Sequence, residues 1–347
     1  MKFLKYIFLF LLIIIVIVSV YLGTLDGNYD IRRTRNMAAD PVVVYNDLND
    51  YKNWQEWGPW FEQDSTIEVH YDTITKGEKG AYSWTSEKEG GGKMRTLSVD
   101  PHKRLDQEII FDTPFGESKS EVYWILEKTE TGTDLTWGIK GELPFISRFM
   151  VKSMSEQMGS MQERGLELLD ESIQKKLKIY SIEDGGVIDY SGGFYLYLTT
   201  STKISEMDPK FQELMQKIGK YVADNNIRIT GSPFTIYHRF DPENGTTMFS
   251  VAYPIAERII TEKGSEVLTG FMERGKYYKT TLKGSYNNLK LAWENAYGGA
   301  ANLTDFIINE KGETFEIYIN NPDNTPNPAG LITEIYIPVV RNELMKQ

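Results

Sequence analysis

Cysteine is absent from the 347-residue chain, which removes disulfides, thiolate zinc sites, thiol nucleophiles and cysteine-ligated iron–sulfur clusters together and leaves the redox compartment open. Histidine is nearly absent. His70, His102 and His238 lie far apart, none in a spaced ligand motif such as HExxH, and all three read as ordinary surface or core residues. There is no GxSxG elbow, P-loop or GxGxxG, and the glycines Gly90 to Gly92 suit a hairpin tip better than a phosphate cradle. Neither a metal nor a cofactor is expected. Positive charge is short as well: 38 Lys and Arg stand against 49 Asp and Glu, for a net charge of −11. Binding a phosphate backbone needs a basic surface to exchange against condensed counterions, and no basic patch stands out, so nucleic acid is not an expected partner.

Uncharged length is what the N-terminus has. Between Lys5 and Asp26 the chain reads YIFLFLLIIIVIVSVYLGTL without a charge, enough at about 1.5 Å per residue to cross a hydrocarbon core of about 30 Å, with Tyr6 and Tyr21 at the interfacial positions. A cleaved signal peptide has a shorter apolar region and a small-x-small exit, whereas VSVYLGTLDG is bulky, which favours an uncleaved single-pass anchor over residues 1–27. Lys2 and Lys5 compete with Arg32, Arg33 and Arg35 for the positive-inside count, but the three arginines fall in the first strand of a folded domain, where charge counts less. The reading is N-in, C-out, with the soluble domains outside the cytoplasm.

From Tyr29 to about Leu143 short alternating runs between turn residues predict an antiparallel sheet. Hairpins are expected around Glu89 to Gly92 and around Thr131 and Gly132. Asp40-Pro41 predicts an N-cap followed by proline at the first position of a short helix, VVVYNDL. The period then changes, and Pro144 to Leu177 predicts one long helix on which Met150, Met154, Met158 and Met161 share a face. Such a stripe suits an adaptable cavity wall, although methionines at this spacing are more often plain core.

The element AADPVVVYNDLNDYKNWQEWGPWF, with Trp54, Trp57, Pro59 and Trp60, together with TGTDLTWGIKG leading into the long helix, resembles the START/polyketide-cyclase-like (SRPBCC) superfamily. The resemblance covers residues 28–176 and implies a helix-grip fold, a sheet curled around its long helix and enclosing a cavity for hydrophobic ligands. Trp84, Trp124, Met150, Met154, Met158 and Met161 are the candidate cavity residues. It supplies no chemistry, because functions vary widely on one fold.

Beyond Lys178 a weak internal repeat runs strand, helix, strand, strand twice. Phe234 to Tyr237 and Phe315 to Tyr318 each form a Phe-x-Ile-Tyr strand, and each precedes a final strand ending in Pro254 or Pro338. Superposing these landmarks sets Thr235 at the position of Glu316 and Ser250 at that of Glu334. Because side chains alternate, Glu316 shares a face with Tyr318, and Glu334 with Tyr336. Solvated faces would satisfy the same pattern.

FEIYINNPDNTPNPAGLITEIYIPV resembles the close of the gyrase-inhibitor-like domain, the effector-binding domain of AraC-type and MerR-type regulators, over residues 177–341 and ahead of a tail at 342–347. The resemblance implies a pseudo-twofold β-α-β-β repeat with an acidic, aromatic pocket for lipophilic and often cationic small molecules. Glu316, Glu334, Tyr318, Tyr336 and Trp293 are its candidate residues. No helix-turn-helix remains once these segments are assigned. The expectation is an α+β, bacterial-type, membrane-anchored binder of a hydrophobic or cationic small molecule. One alternative is a hydrolase of strained electrophiles, with Glu316 or Glu334 activating water and Tyr318 assisting. The other is a non-catalytic protein-interaction module.

Overall fold

The computed structural model describes residues 2–88, 90–113, 116–262 and 264–342. Glu89, at one expected hairpin tip, and all of the expected tail but Asn342 lie outside the described residues. The chain divides into two compact units, Met1–Lys175 and Lys176–Gln347. Each is α+β on one antiparallel sheet, as the alternation of periods predicts.

Unit 1 begins with α1 (Lys2–Gly23). The stretch Phe3–Gly23 is long and apolar enough to cross a membrane, a property shared by anchors and signal sequences. Its large apolar side chains from Phe3 to Tyr21 are exposed on every face, whereas a helix of a water-soluble domain buries one face.

Seven strands follow: β1 (Asn28–Met37), β2 (Glu68–Tyr71), β3 (Ala81–Thr85), β4 (Gly92–Asp100), β5 (Arg104–Thr113), β6 (Gly116–Thr129) and β7 (Gly132–Glu142). Their order in the sheet is β1-β7-β6-β5-β4-β3-β2. Register sets the core: Val122 faces Ile139, Trp124 faces Trp137 and Leu126 faces Leu135, and cross-strand partners share one face of the sheet. Between β1 and β2, Asp40 accepts a hydrogen bond from Val42 N at 3.2 Å and caps α2 (Pro41–Asn49), as its sequence predicts. A 3-10 turn, Tyr51–Glu56, and α3 (Trp60–Gln63) then carry the tryptophans inward.

The long helix starts later than predicted. Pro144 enters with extended ψ, Ser147 N bonds Pro144 O at 2.8 Å, and Phe145–Met150 winds as a 3-10 turn before α4 (Val151–Leu177) begins. Leu166, Leu169 and Ile173 of α4 are buried at helical spacing. Arg33 pairs with Glu163 at 2.5 Å and Arg35 with Asp170 at 3.1 Å, tying the helix to β1. A Cβ on Gly165 would lie 2.7 Å from the Trp137 ring, so glycine permits the close approach of α4 to the sheet.

Unit 2 contains β8 (Tyr180–Tyr190), β9 (Gly193–Lys203), α5 (Met207–Asp224), β10 (Phe234–Asp241), β11 (Thr246–Ile255), β12 (Leu268–Met272), β13 (Gly275–Gly284), α6 (Leu289–Ala301), β14 (Phe306–Ile308), β15 (Thr314–Tyr318) and β16 (Ile332–Arg341). The sheet runs β12-β9-β11-β10-β15-β16-β13-β8, with β14 beside β16. This order reads the same from either end when β8, β9, β10 and β11 are exchanged with β12, β13, β15 and β16. The pseudo-twofold repeat is therefore present, but each half begins one strand earlier than the sequence repeat suggests. These first strands cross over: β8 pairs with β13 and β12 with β9, so each closes the edge of the other half. Leu214, Ile218 and Val222 bury one side of α5, and Ala292, Ala296 and Ala300 the matching side of α6.

Candidate functional site

The symmetry of unit 2 has a consequence at its centre. Strands β10 and β15 are equivalents, and they pair with each other so that Thr235 lies directly opposite its own counterpart, Glu316. Glu316 thus sits on the pseudo-twofold axis. Its face follows from register: Thr235 is paired with Val251, which packs on α5, and Glu316 with Ile335, which packs on α6. The glutamate therefore projects on the helix-bearing side.

The carboxylate is buried, with Glu316 only 1% exposed. Tyr318 donates to Oε1 at 2.6 Å, Tyr237 donates to Oε1 at 2.8 Å, and Trp293 Nε1 donates to Oε2 at 2.9 Å. Thr235 Oγ1 lies 2.9 Å from the Tyr318 hydroxyl. Phe211 of α5 and Tyr286 pack edge-on against Tyr318, and Tyr237 packs edge-on against Trp293. Every donor is neutral, and Glu316 forms no ion pair among the described residues. Burial pushes its carboxyl above the ordinary range, against the lowering pull of the three hydrogen bonds. Burial and then the nearby Glu316 charge push Tyr237 and Tyr318 well up, so both remain protonated donors.

The expectation that Glu334 and Tyr336 share this pocket is corrected by the register. Glu334 is paired with Ile317 and Tyr336 with Phe315, so both project from the opposite face of the sheet. There Lys279 Nζ bonds Glu334 at 2.5 Å and the Tyr336 hydroxyl donates to Glu334 at 2.6 Å. The Tyr336 ring stacks on Phe315 in a separate core cluster. Glu334 already has its cation. We expect Lys279→Met to cost about 1–2 kcal/mol, below the usual penalty for breaking a fully buried pair because both side chains keep some solvent contact. In urea unfolding, adding Glu334→Gln should recover most of that loss, and purely additive losses would show that the pair is uncoupled.

Of the expected residues, the structure brings together Glu316, Tyr318 and Trp293. Tyr237 joins them, and its signal is in the sequence, since the repeated Phe-x-Ile-Tyr makes it the counterpart of Tyr318. Phe211 and Tyr286 leave no comparable mark.

Unit 1 holds a cavity of about 250 Å³ lined by Trp54, Trp60, Trp84, Trp137, Met158 and Met161, with further apolar side chains, Gln63 and Gln162. Three of the expected cavity residues lie elsewhere. Trp124 is fully buried in the core, stacked on Trp137 with ring centres 4.6 Å apart, and its Nε1 donates to Gln107 Oε1 at 2.8 Å. Met150 falls in the 3-10 turn and is 47% exposed. Met154 stands one helical turn before Met158, outside the lining. The methionine stripe thus reaches the cavity only with its second half, Met158 and Met161.

Residues 195–340 match the model of the GyrI-like small molecule binding domain, and residues 29–174 match that of the polyketide cyclase / dehydrase and lipid transport family. No curated protein matches the chain. Among solved structures, the C-terminal domain of EcmrR is 15% identical, with 47% of this chain and 99% of that one covered at a TM-score of 0.40. A protein from Chromobacterium violaceum is 19% identical, with 42% and 96% covered at a TM-score of 0.33. A protein of unknown function from Staphylococcus aureus is 13% identical, with 43% and 96% covered at a TM-score of 0.35. The two halves of the chain are thus similar to two different domain families, one of small-molecule binding and one of polyketide cyclases and lipid transport.

Proposed function

We propose that the protein is a membrane-anchored small-molecule binder in which Glu316 receives a lipophilic cation and the unit 1 cavity takes a hydrophobic ligand. The observation that carries the reading is a buried carboxylate held by three neutral donors, without a cation among the described residues. An ionised group so placed has lost its hydration without gaining a counter-charge. A weakly hydrated cation restores the balance, and the surrounding rings add about 0.5–2 kcal/mol each through cation–π contact. The small-molecule-binding family model over the same residues supports this use. The all-round exposed apolar surface of α1 supports anchoring. The orientation that goes with this reading, N-terminus inside and both units outside the cytoplasm, rests on Arg32, Arg33 and Arg35 lying in a folded strand, where charge counts less.

Calorimetric titration of the full chain in lipid nanodiscs with tetraphenylphosphonium, against empty nanodiscs, tests the cation site. Because burial raises the Glu316 carboxyl, the site is neutral in acid, and cation binding must displace a proton. Affinity should therefore rise with pH through and above the ordinary carboxylate range. An affinity independent of pH would remove Glu316 from the reading.

The close pairing of Glu316 with Tyr318 favours one second reading, hydrolysis of a strained electrophile with Glu316 as general acid or base. Product release by the wild-type chain that stops in Glu316→Gln would identify it.

A further inference from the structure

Between β7 and α4 the 3-10 turn Phe145–Met150 leaves four large apolar side chains in the open. Phe145, Ile146, Phe149 and Met150 are all exposed, Ile146 by 66% and Phe149 by 60%. Elsewhere in unit 1, α1 aside, the exposed large apolar side chains among the described residues are Ile74 and Leu97, which stand singly. Single exposed apolar residues are ordinary, whereas a cluster marks a surface that something covers.

The turn is fixed where α1 ends. Only Thr24 to Gly27 join α1 to β1, a reach of at most about 14 Å. Along that connection Leu143 N donates to Gly27 O at 2.9 Å, and Arg148 Nη1 donates to Leu25 O at 3.4 Å. Nη2 of the same guanidinium donates to Glu142 Oε1 at 3.1 Å, and its carbon lies 5.5 Å from the Phe145 ring centre. The turn also touches α1, whose Leu22 is buried. A bilayer crossed by Phe3–Gly23 therefore has its polar boundary beside this turn. Charge agrees: from Leu143 to Ser155 there is no Asp or Glu, and the two basic residues are Arg148 and the exposed Lys152, in a chain of net charge −11. Basic residues beside an apolar cluster suit the phosphates of an anionic lipid surface.

We infer that the turn is a second membrane contact, its four apolar side chains entering the headgroup boundary of the bilayer that holds α1 and Lys152 meeting lipid phosphate. This rests on the reading of α1 as an anchor. Two points of contact would set the height and tilt of unit 1 over the membrane, where one short connection alone lets it swing.

The lack of native cysteine permits a clean test by site-directed nitroxide labelling. Ile146→Cys and Phe149→Cys are labelled in the full chain, in nanodiscs of phosphatidylcholine and phosphatidylglycerol. Glu130→Cys is the control, exposed on the β6–β7 tip at the far end of β7 from Glu142, about 30 Å along the strand. Oxygen concentrates in lipid and a nickel chelate stays in water. The ratio of oxygen to nickel collisions should be several-fold higher for both turn labels than for the control. Thermal unfolding near that of the wild type checks that these exposed substitutions leave unit 1 folded. Turn labels as open to nickel as the control, in a chain retained by the nanodisc, would overturn the inference and leave the anchor standing. Turn labels closed to both reagents would overturn it in favour of a protein surface, a second copy included. A chain that does not enter nanodiscs would sink the anchor reading and this inference with it.

Discussion

Glu316→Gln should lower tetraphenylphosphonium affinity at neutral pH by about thirtyfold or more, equivalent to about 2 kcal/mol or more, because truncating one partner of a buried charge pair leaves the other without compensation. The fold should survive. A glutamine can turn its oxygen to Trp293 Nε1 and its amide nitrogen to the hydroxyl oxygens of Tyr237 and Tyr318, each of which is able to accept. Stability carries a second, independent signature. The folded-state carboxyl lies above its unfolded value, so its contribution is fully present in acid, below the unfolded value, and is lost as pH rises through the raised one. The unliganded wild-type chain should therefore lose stability over that window relative to Glu316→Gln. Thermal unfolding of both proteins from acid to neutral pH, with and without the cation, reads both effects. Parallel pH profiles and unchanged affinity would show that Glu316 is a settled core group and not a binding site.

Trp124→Ala should cost unit 1 about 3–5 kcal/mol in urea unfolding, the range for removing a large buried aromatic side chain. The loss has three parts. The stacking contact with Trp137 disappears, edge contacts with Trp54 and Trp57 go with it, and Gln107 Oε1 loses its indole donor. Gln107 in turn donates to the Tyr51 hydroxyl at 3.0 Å, which lies 2.9 Å from Thr96 Oγ1, so the damage extends along a buried polar chain. A cost near zero would return Trp124 to the cavity wall, where the sequence had suggested it lies, since a wall residue facing open space has fewer contacts to lose.

The comparison between Trp84 and Trp124 shows what strand periodicity can and cannot separate. Both are large aromatics on half-buried strands, and alternation places each on an inward face. Only the stacking of β6 against β7, with Trp124 opposite Trp137, decides that one is covered by a ring while the other borders the cavity. Likewise, helical spacing groups all four methionines on one side of the predicted helix. The tertiary structure instead leaves Met150 in the 3-10 turn that follows the extended entry at Pro144 and brings only Met158 and Met161 to the cavity.

Local chemistry along the chain was enough to define the apolar N-terminal run, the capped helix after Asp40, the hairpins of the first sheet and the repeated Phe-x-Ile-Tyr strands. Each depends on neighbours within a few residues, through period, turn preference or capping. The same pattern also showed that Glu316 accompanies Tyr318 and that Glu334 accompanies Tyr336. What it could not show is that the two glutamates point to opposite faces, because that depends on which residue of β15 stands opposite which residue of β16, and a shift of one position would reverse it. The pairing of β10 with β15 is also non-local, and it alone sets Glu316 on the pseudo-twofold axis with Tyr237, Tyr318 and Trp293 around it. The identity of the acidic residues belonged to the sequence. Which of them is neutralised by a lysine and which is left with neutral donors was decided by tertiary register, because burial and charge compensation are properties of what packs across the sheet.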